Sequence, residues 1–150
     1  MPSKAIFSGI MAPMVTPVDE KFSIDHLALE RLINHMIEGG IHGIFILGTT
    51  GEASSLSYAQ RKELIKSSGH FINNRVPFWV GITDTSFQES VELAKFASQY
   101  GAAAVVAAPP FYIPIAQSEL IYYYQYLANA CKLPLYLYNF PSLTKIEISP

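Results

Sequence analysis

Apolar positions along the chain follow two alternating patterns. Short, largely apolar runs lie at 10–15, 42–47, 76–82, 102–108 and 133–138, bounded by glycine, proline or polar residues. Between them lie longer stretches, at 24–37, 57–71, 86–100 and 117–130, whose apolar residues recur three and four apart. Leu29, Leu32, Ile33, Met36 and Ile37 show that spacing in the first of them. The short runs predict strands and the longer stretches predict amphipathic helices. Stop and start signals agree. Gly39-Gly40 and Gly101 close two helices as C-terminal glycines do. Ser57 with Gln60, and Ser86 with Glu89, read as capping boxes that open two others. The order is therefore strand, helix, strand, helix, with five strands and four helices.

Runs such as A-A-A-V-V-A-A and P-F-W-V-G-I do not alternate polar with apolar residues. Strands apolar on both faces belong to parallel sheets covered by helices. That leaves a doubly wound sheet or a (βα)8 barrel. The segment after the first strand reads M-V-T-P-V-D, without the G-x-G-x-x-G of a dinucleotide-binding fold. A complete barrel takes about 250 residues. The 150 residues here hold five of its eight strands, so the expectation is one barrel domain over 1–150, incomplete at its C-terminal side. A fifth strand left open would be an edge prone to aggregation.

Composition narrows the function classes. The formal charge is −2, and no basic stripe or basic amphipathic helix suggests nucleic acid or a membrane surface. The start, M-P-S-K-A-I-F-S-G, lacks a long apolar core, and no apolar stretch is long enough to span a bilayer. Cys131 is the one cysteine, which excludes an internal disulfide and fits a reducing compartment, so a cytoplasmic location is expected. His26, His35, His42 and His70 are not spaced as metal ligands. Neither a metal nor a cofactor is expected.

Polar groups gather where the strands end. Thr16-Pro17 follows the first, G-T-T-G-E (48–52) the second, Thr83-Asp84 the third, Pro109-Pro110-Phe111-Tyr112 the fourth and Tyr138-Asn139-Phe140-Pro141 the fifth. Parallel α/β folds bind ligands at that rim. Each piece alone also reads as an ordinary turn, with threonine hydroxyls capping local amides. The tyrosines Tyr122, Tyr123, Tyr124 and Tyr126 on the fourth helix read as core and subunit contact.

Taken together, T-P, G-T-T-G-E, P-x-Y and Y-N-F-P-S-L-T (138–144) on successive strands resemble the dihydrodipicolinate synthase / N-acetylneuraminate lyase family. The resemblance covers essentially the whole chain. It implies a (βα)8 barrel, usually a homotetramer built from dimers, that joins pyruvate and an aldehyde, or cleaves the product, through a lysine Schiff base. It implies that Thr49, Thr50 and Gly51 receive the pyruvate carboxylate by hydroxyls and turn amides. Tyr138 would be the acid/base, linked through Thr49 to Tyr112, which would reach into a neighbouring subunit. The family's Schiff-base lysine lies on the sixth strand, beyond residue 150; Lys132 and Lys145 match no such position. A keto-acid-binding barrel without that lysine is the alternative. Leu143 stands where enzymes of lysine biosynthesis typically carry arginine, and leucine cannot grip a carboxylate. The motif is more similar to aldolases for 2-keto-3-deoxy sugar acids.

Overall fold

The computed structural model describes residues 7–149. Its strands are β1 (Met11–Pro13), β2 (Gly43–Ile46), β3 (Phe78–Gly81), β4 (Ala104–Ala107) and β5 (Leu135–Leu137). Four helices separate them, α1 (His26–Glu38), α2 (Tyr58–Ile72), α3 (Phe87–Gln99) and α4 (Gln117–Ala130), and a short α5 (Pro141–Thr144) follows β5. All four strand pairs are parallel, in the order β1-β2-β3-β4-β5.

That order separates the two architectures left open by the sequence. A doubly wound sheet reverses its strand order at a switch point. Here every crossover steps the same way, and right-handed crossovers in one direction put every helix on one face. The helices accordingly pack in sequence, α1 on α2, α2 on α3 and α3 on α4. This is the winding of a (βα)8 barrel through its fifth strand.

The two faces of the sheet differ as the winding requires. Ile44, Ile46, Val80, Val105 and Ala107 are fully buried beneath the helices, against Leu29, Ile33, Leu64, Leu93, Leu120 and Leu127. On the concave face β2, β3 and β5 carry large aromatics, whereas β4 places Ala104 and Val106 there. Phe45 and Trp79 are half-buried, and Tyr136 is exposed on the last strand. Trp79 stacks on Tyr136 with ring centroids 4.1 Å apart.

The paired strands are shorter than the apolar runs. Met14, Leu47, Ile82 and Ala108 lie just past the last paired residues yet are buried. Single inter-strand bonds continue past the paired residues, from the Met14 N–H to the Phe45 carbonyl and from the Ile82 N–H to the Val106 carbonyl, both at 2.9 Å, and burial extends with them. Helix α1 begins two residues later than its periodicity suggests. Ile24 forms an antiparallel bridge with Val18, and Asp25 caps the helix by accepting from the Ala28 N–H at 2.9 Å.

The Ser57–Gln60 capping box forms in both directions. The Ser86–Glu89 pair forms in one only. The Glu89 N–H donates to Ser86 Oγ at 3.4 Å, but the Ser86 N–H donates to Asp84 Oδ1 at 2.9 Å. Asp84 is two residues back and already oriented, so it takes the place predicted for Glu89. Among the tyrosines of α4, Tyr124 is buried and donates to the Ala107 carbonyl, while Tyr122 and Tyr126 are exposed. Burial pushes the Tyr124 hydroxyl well above its ordinary pKa. Among the described residues no helix is long and apolar enough to cross a membrane.

Candidate active site

The G-T-T-G-E turn starts from a left-handed residue and ends on one. Leu47 has φ 56° and Glu52 φ 52°, while Gly48 and Gly51 have ordinary backbone angles. The non-glycine neighbours, not the glycines, bear the strain of the turn, about 1–2 kcal/mol each. The glycines supply room instead. A Cβ on Gly48 would lie 2.6 Å from the Phe45 ring, and one on Gly51 would lie 3.1 Å from the Met14 carbonyl oxygen. Gly81 at the end of β3 is tighter still, its would-be Cβ 2.0 Å from the Leu47 carbonyl oxygen.

Three hydrogen bonds hold the turn, one of them from the Ala53 N–H to the Gly48 carbonyl at 3.5 Å. The Glu52 N–H donates to the Thr49 carbonyl at 3.0 Å. From the β1 side, Thr16 Oγ1 donates to the Gly51 carbonyl at 2.7 Å. The N–H groups of Thr49, Thr50 and Gly51 donate to no other described residue. Successive free amides on a tight turn form a concavity suited to a small anion.

Beside the turn, at the C-terminal rim of the sheet, lies a cavity of about 290 Å³. Thr49 and Glu52 enter it after β2, Thr83 after β3, Phe111 after β4, and Tyr138, Phe140, Leu143 and Thr144 after β5. Tyr138 is held edge-on between Phe45 (centroids 6.4 Å apart) and Phe140 (5.8 Å), and its N–H donates to the Ala107 carbonyl at 2.9 Å. Leu143 reaches the cavity because Pro141 starts a helical turn straight after β5, a feature that apolar periodicity over four residues is too short to show. Thr83 Oγ1 accepts from the Ala108 N–H at 2.9 Å, which ties the β3 and β4 ends together.

The sequence-derived site residues divide. Thr49 and Tyr138 line one cavity. Thr50 is exposed and Gly51 buried, and neither lines it. Tyr112 stands on the β4–α4 loop at φ 83°, 92% exposed, beside a different depression. No hydrogen bond joins Tyr138, Thr49 and Tyr112 among the described residues. Thr83, which the sequence places at the rim, and Thr144, which ends the Y-N-F-P-S-L-T motif, also line the cavity, as does Ser54, which the sequence did not single out.

Asp84 follows Thr83 at the rim but turns beneath it, 5% exposed. Its Oδ2 accepts from Arg61 of α2 at 2.8 Å, and its Oδ1 accepts from the Tyr58 hydroxyl at 3.1 Å and the Ser86 N–H. Arg61 also donates through Nε to the Leu56 carbonyl at 3.1 Å, and its guanidinium lies 5.0 Å from the centre of the Tyr58 ring. Partial burial, and then the bond to Asp84, push the Tyr58 hydroxyl above its ordinary pKa. Burial likewise raises the Cys131 thiol. Among the described residues no cluster of three His, Cys, Asp or Glu could hold a metal ion.

Comparison with known proteins matches this chain over residues 6–150 to the Dihydrodipicolinate synthetase family. YagE of Escherichia coli, provisionally named a 2-dehydro-3-deoxy-D-gluconate aldolase, is 35% identical over 150 residues, all of this chain and 50% of its own length. The crystal structure of YagE in complex with pyruvate superposes with a TM-score of 0.94 over 97% of this chain and 49% of that one, at 34% identity. Dihydrodipicolinate synthase from Bacteroides thetaiotaomicron superposes at 0.90 with 49% identity, over 95% of this chain and 48% of that one. The chain spans about half the length of the curated relatives it matches.

Proposed function

The chain belongs to the dihydrodipicolinate synthetase family, and on that premise we propose that it furnishes one wall of the active site of a pyruvate-dependent class I aldolase or lyase. The observation that carries this reading is the convergence of Thr49 and Tyr138, from separate strand ends, on one cavity beside a turn with free amides. Residues 1–150 are then a continuous part of a single (βα)8 domain.

The pyruvate carboxylate sits at the edge of the cavity, against the Thr49 hydroxyl and the free amides of Thr49, Thr50 and Gly51 on the adjoining turn. No lysine among the described residues lines the cavity, so the reading assigns the amine to a position outside this sequence. That amine attacks the keto carbon, water leaves, and the imine draws electrons from the adjacent methyl group. The methyl loses a proton, and the resulting enamine carbon attacks the aldehyde carbonyl; cleavage is the reverse. Tyr138 hands a proton to the departing hydroxyl of the carbinolamine and to the aldehyde oxygen as the carbon–carbon bond forms.

Tyr112 serves a second copy of the chain. Its exposure and its absence from the lining of its own subunit's cavity support this, as does its left-handed backbone. The assembly is then a dimer of dimers in which a relay through Thr49 is completed across the interface. Leu143, half exposed and on the cavity wall, meets the far end of the aldehyde. A leucine there favours aldehydes without a carboxylate, as in cleavage of 2-keto-3-deoxy sugar acids. A cytoplasmic location suits this chemistry and the free thiol of Cys131.

Borohydride reduces a lysine imine to a stable amine. Treated with pyruvate and borohydride, the protein as its gene encodes it is expected to gain one reduced pyruvyl group per subunit by intact mass. Saturable pyruvate binding with no adduct would replace this reading with a keto-acid-binding barrel. Neither adduct nor binding would remove both.

A further inference from the structure

We propose that Arg61 and Asp84 are positioning residues that fix the carboxylate-binding turn against the rest of the rim. The inference rests on the aldolase reading for its consequence, though not for its geometry. Neither side chain lines the cavity. Both are almost fully withdrawn from water, with 9% and 6% of their side chains exposed, which is unusual for an ion pair outside an active site. Their bonds reach the backbone at two points around the site, the Leu56 carbonyl and the Ser86 N–H.

Arg61 carries the link on one side. Its Nε holds the Leu56 carbonyl, the residue that closes the 3-10 turn Ala53–Ser55 after G-T-T-G-E. Its Nη1 holds Asp84 at 2.8 Å. Asp84 carries the other side. It immediately follows Thr83, whose side chain is on the cavity wall, and it anchors the first turn of α3 through Ser86. The guanidinium and carboxylate thus bridge the segment after β2 to the segment after β3. The planar fork of arginine suits this, since two donors fixed in one plane set two acceptors relative to each other. The Tyr58 ring covers the guanidinium, and its hydroxyl uses the carboxylate's remaining capacity.

The alternative is a pair that serves stability alone. Three variants separate the two. Arg61→Lys keeps a charge for Asp84 but loses the second arm to Leu56. Asp84→Asn keeps the shape but leaves Arg61 without its counter-charge, and breaking one partner of a buried pair endangers folding. The double variant Arg61→Met/Asp84→Leu removes both charges and replaces them with apolar bulk, which buried pairs commonly tolerate.

Two measurements decide the matter in the protein as its gene encodes it. The first is amide hydrogen exchange at Glu52, Ser55 and Leu56, whose N–H groups are bonded within the turn. Exchange there is expected to quicken about tenfold or more in Arg61→Lys and in the double variant, with the strands β2 and β3 unchanged. The second is steady-state kinetics. The KM for pyruvate is expected to rise roughly tenfold to a hundredfold with a smaller change in kcat, since misplacement of a binding group by about 1 Å has effects of that size. Unchanged exchange in a folded double variant would overturn the proposal, whether or not pyruvate is the ligand. Faster exchange with an unchanged pyruvate KM would overturn its functional half. A parent protein that ignores pyruvate altogether would fail the aldolase reading while leaving the exchange result to judge the strut.

Discussion

Gly81→Ala tests the close approach of two strand ends on which the site is built. The added methyl would lie 2.0 Å from the Leu47 carbonyl oxygen and 2.7 Å from its carbon, where real Cβ contacts stay beyond 3.0 Å. A gap of about 1 Å must therefore open between backbone segments, because no flexible side-chain end is available to move. Overpacking of this kind costs about 1–3 kcal/mol, and a backbone collision belongs at the upper end. Loss of glycine's freedom in the unfolded chain returns about 0.4–1 kcal/mol. The expected net loss is about 2 kcal/mol, or a fall in Tm of roughly 4–8 °C for a protein of 150–250 residues. Gly101→Ala is the control. Nothing lies within 4 Å of its Cβ, but its φ is +84°, so its cost is conformational only and remote from the site. Urea denaturation at unchanged slope measures both. Gly81→Ala should also weaken pyruvate binding, because the displaced Leu47 leads directly into Gly48 and Thr49; Gly101→Ala should not. If Gly81→Ala costs no more than Gly101→Ala and leaves pyruvate affinity intact, the argument that the glycines make room for the turn is wrong.

Three further outcomes are expected. Tyr138→Phe should slow turnover by a factor on the order of 10² to 10⁴ with the fold intact, and near-normal turnover would remove Tyr138 from proton transfer. Leu143→Arg should shift preference toward aldehydes that carry a carboxylate, measured as a ratio of kcat/KM values; an unchanged ratio would mean that Leu143 does not face the second substrate. Cys131, whose thiol is raised by burial, carries less thiolate at neutral pH than a free thiol and should alkylate more slowly with iodoacetamide. Alkylation as fast as that of a small-molecule thiol, in the folded protein, would contradict this.

The alternation of strands and helices was legible because its two signals are long and physically distinct. The strand order was not. Periodicity reports which faces are apolar, and the faces look alike in a barrel and in a doubly wound sheet until the pairings are known. Thr49 and Tyr138 could be found because they sit at strand ends in short motifs. Arg61 could not, since an arginine in the first turns of a polar helix looks like any solvated charge until Asp84 is seen opposite it. The left-handed angles at Leu47 and Glu52 were also hidden. Sequence rules assign such angles to glycine, and here tertiary packing imposed them on its neighbours. Helix α5 was too short for any periodic signal.

The sequential strand order has a consequence for how the molecule is made. Every strand pairs with the one synthesised just before it, at separations from 25 residues (Trp79 with Ala104) to 34 (Ile44 with Phe78). None of these four pairings among the described residues waits for a distant segment. Low contact order favours rapid assembly, and domains grow from the N-terminus during translation at about 5–20 residues per second. Each new strand can therefore dock within seconds of leaving the ribosome, using the previous strand as its template. The turn at Thr49 would be shaped as soon as β3 arrives, because Gly81 is what confines Leu47. The G-T-T-G-E turn would then be among the first parts of the nascent chain to take its final form.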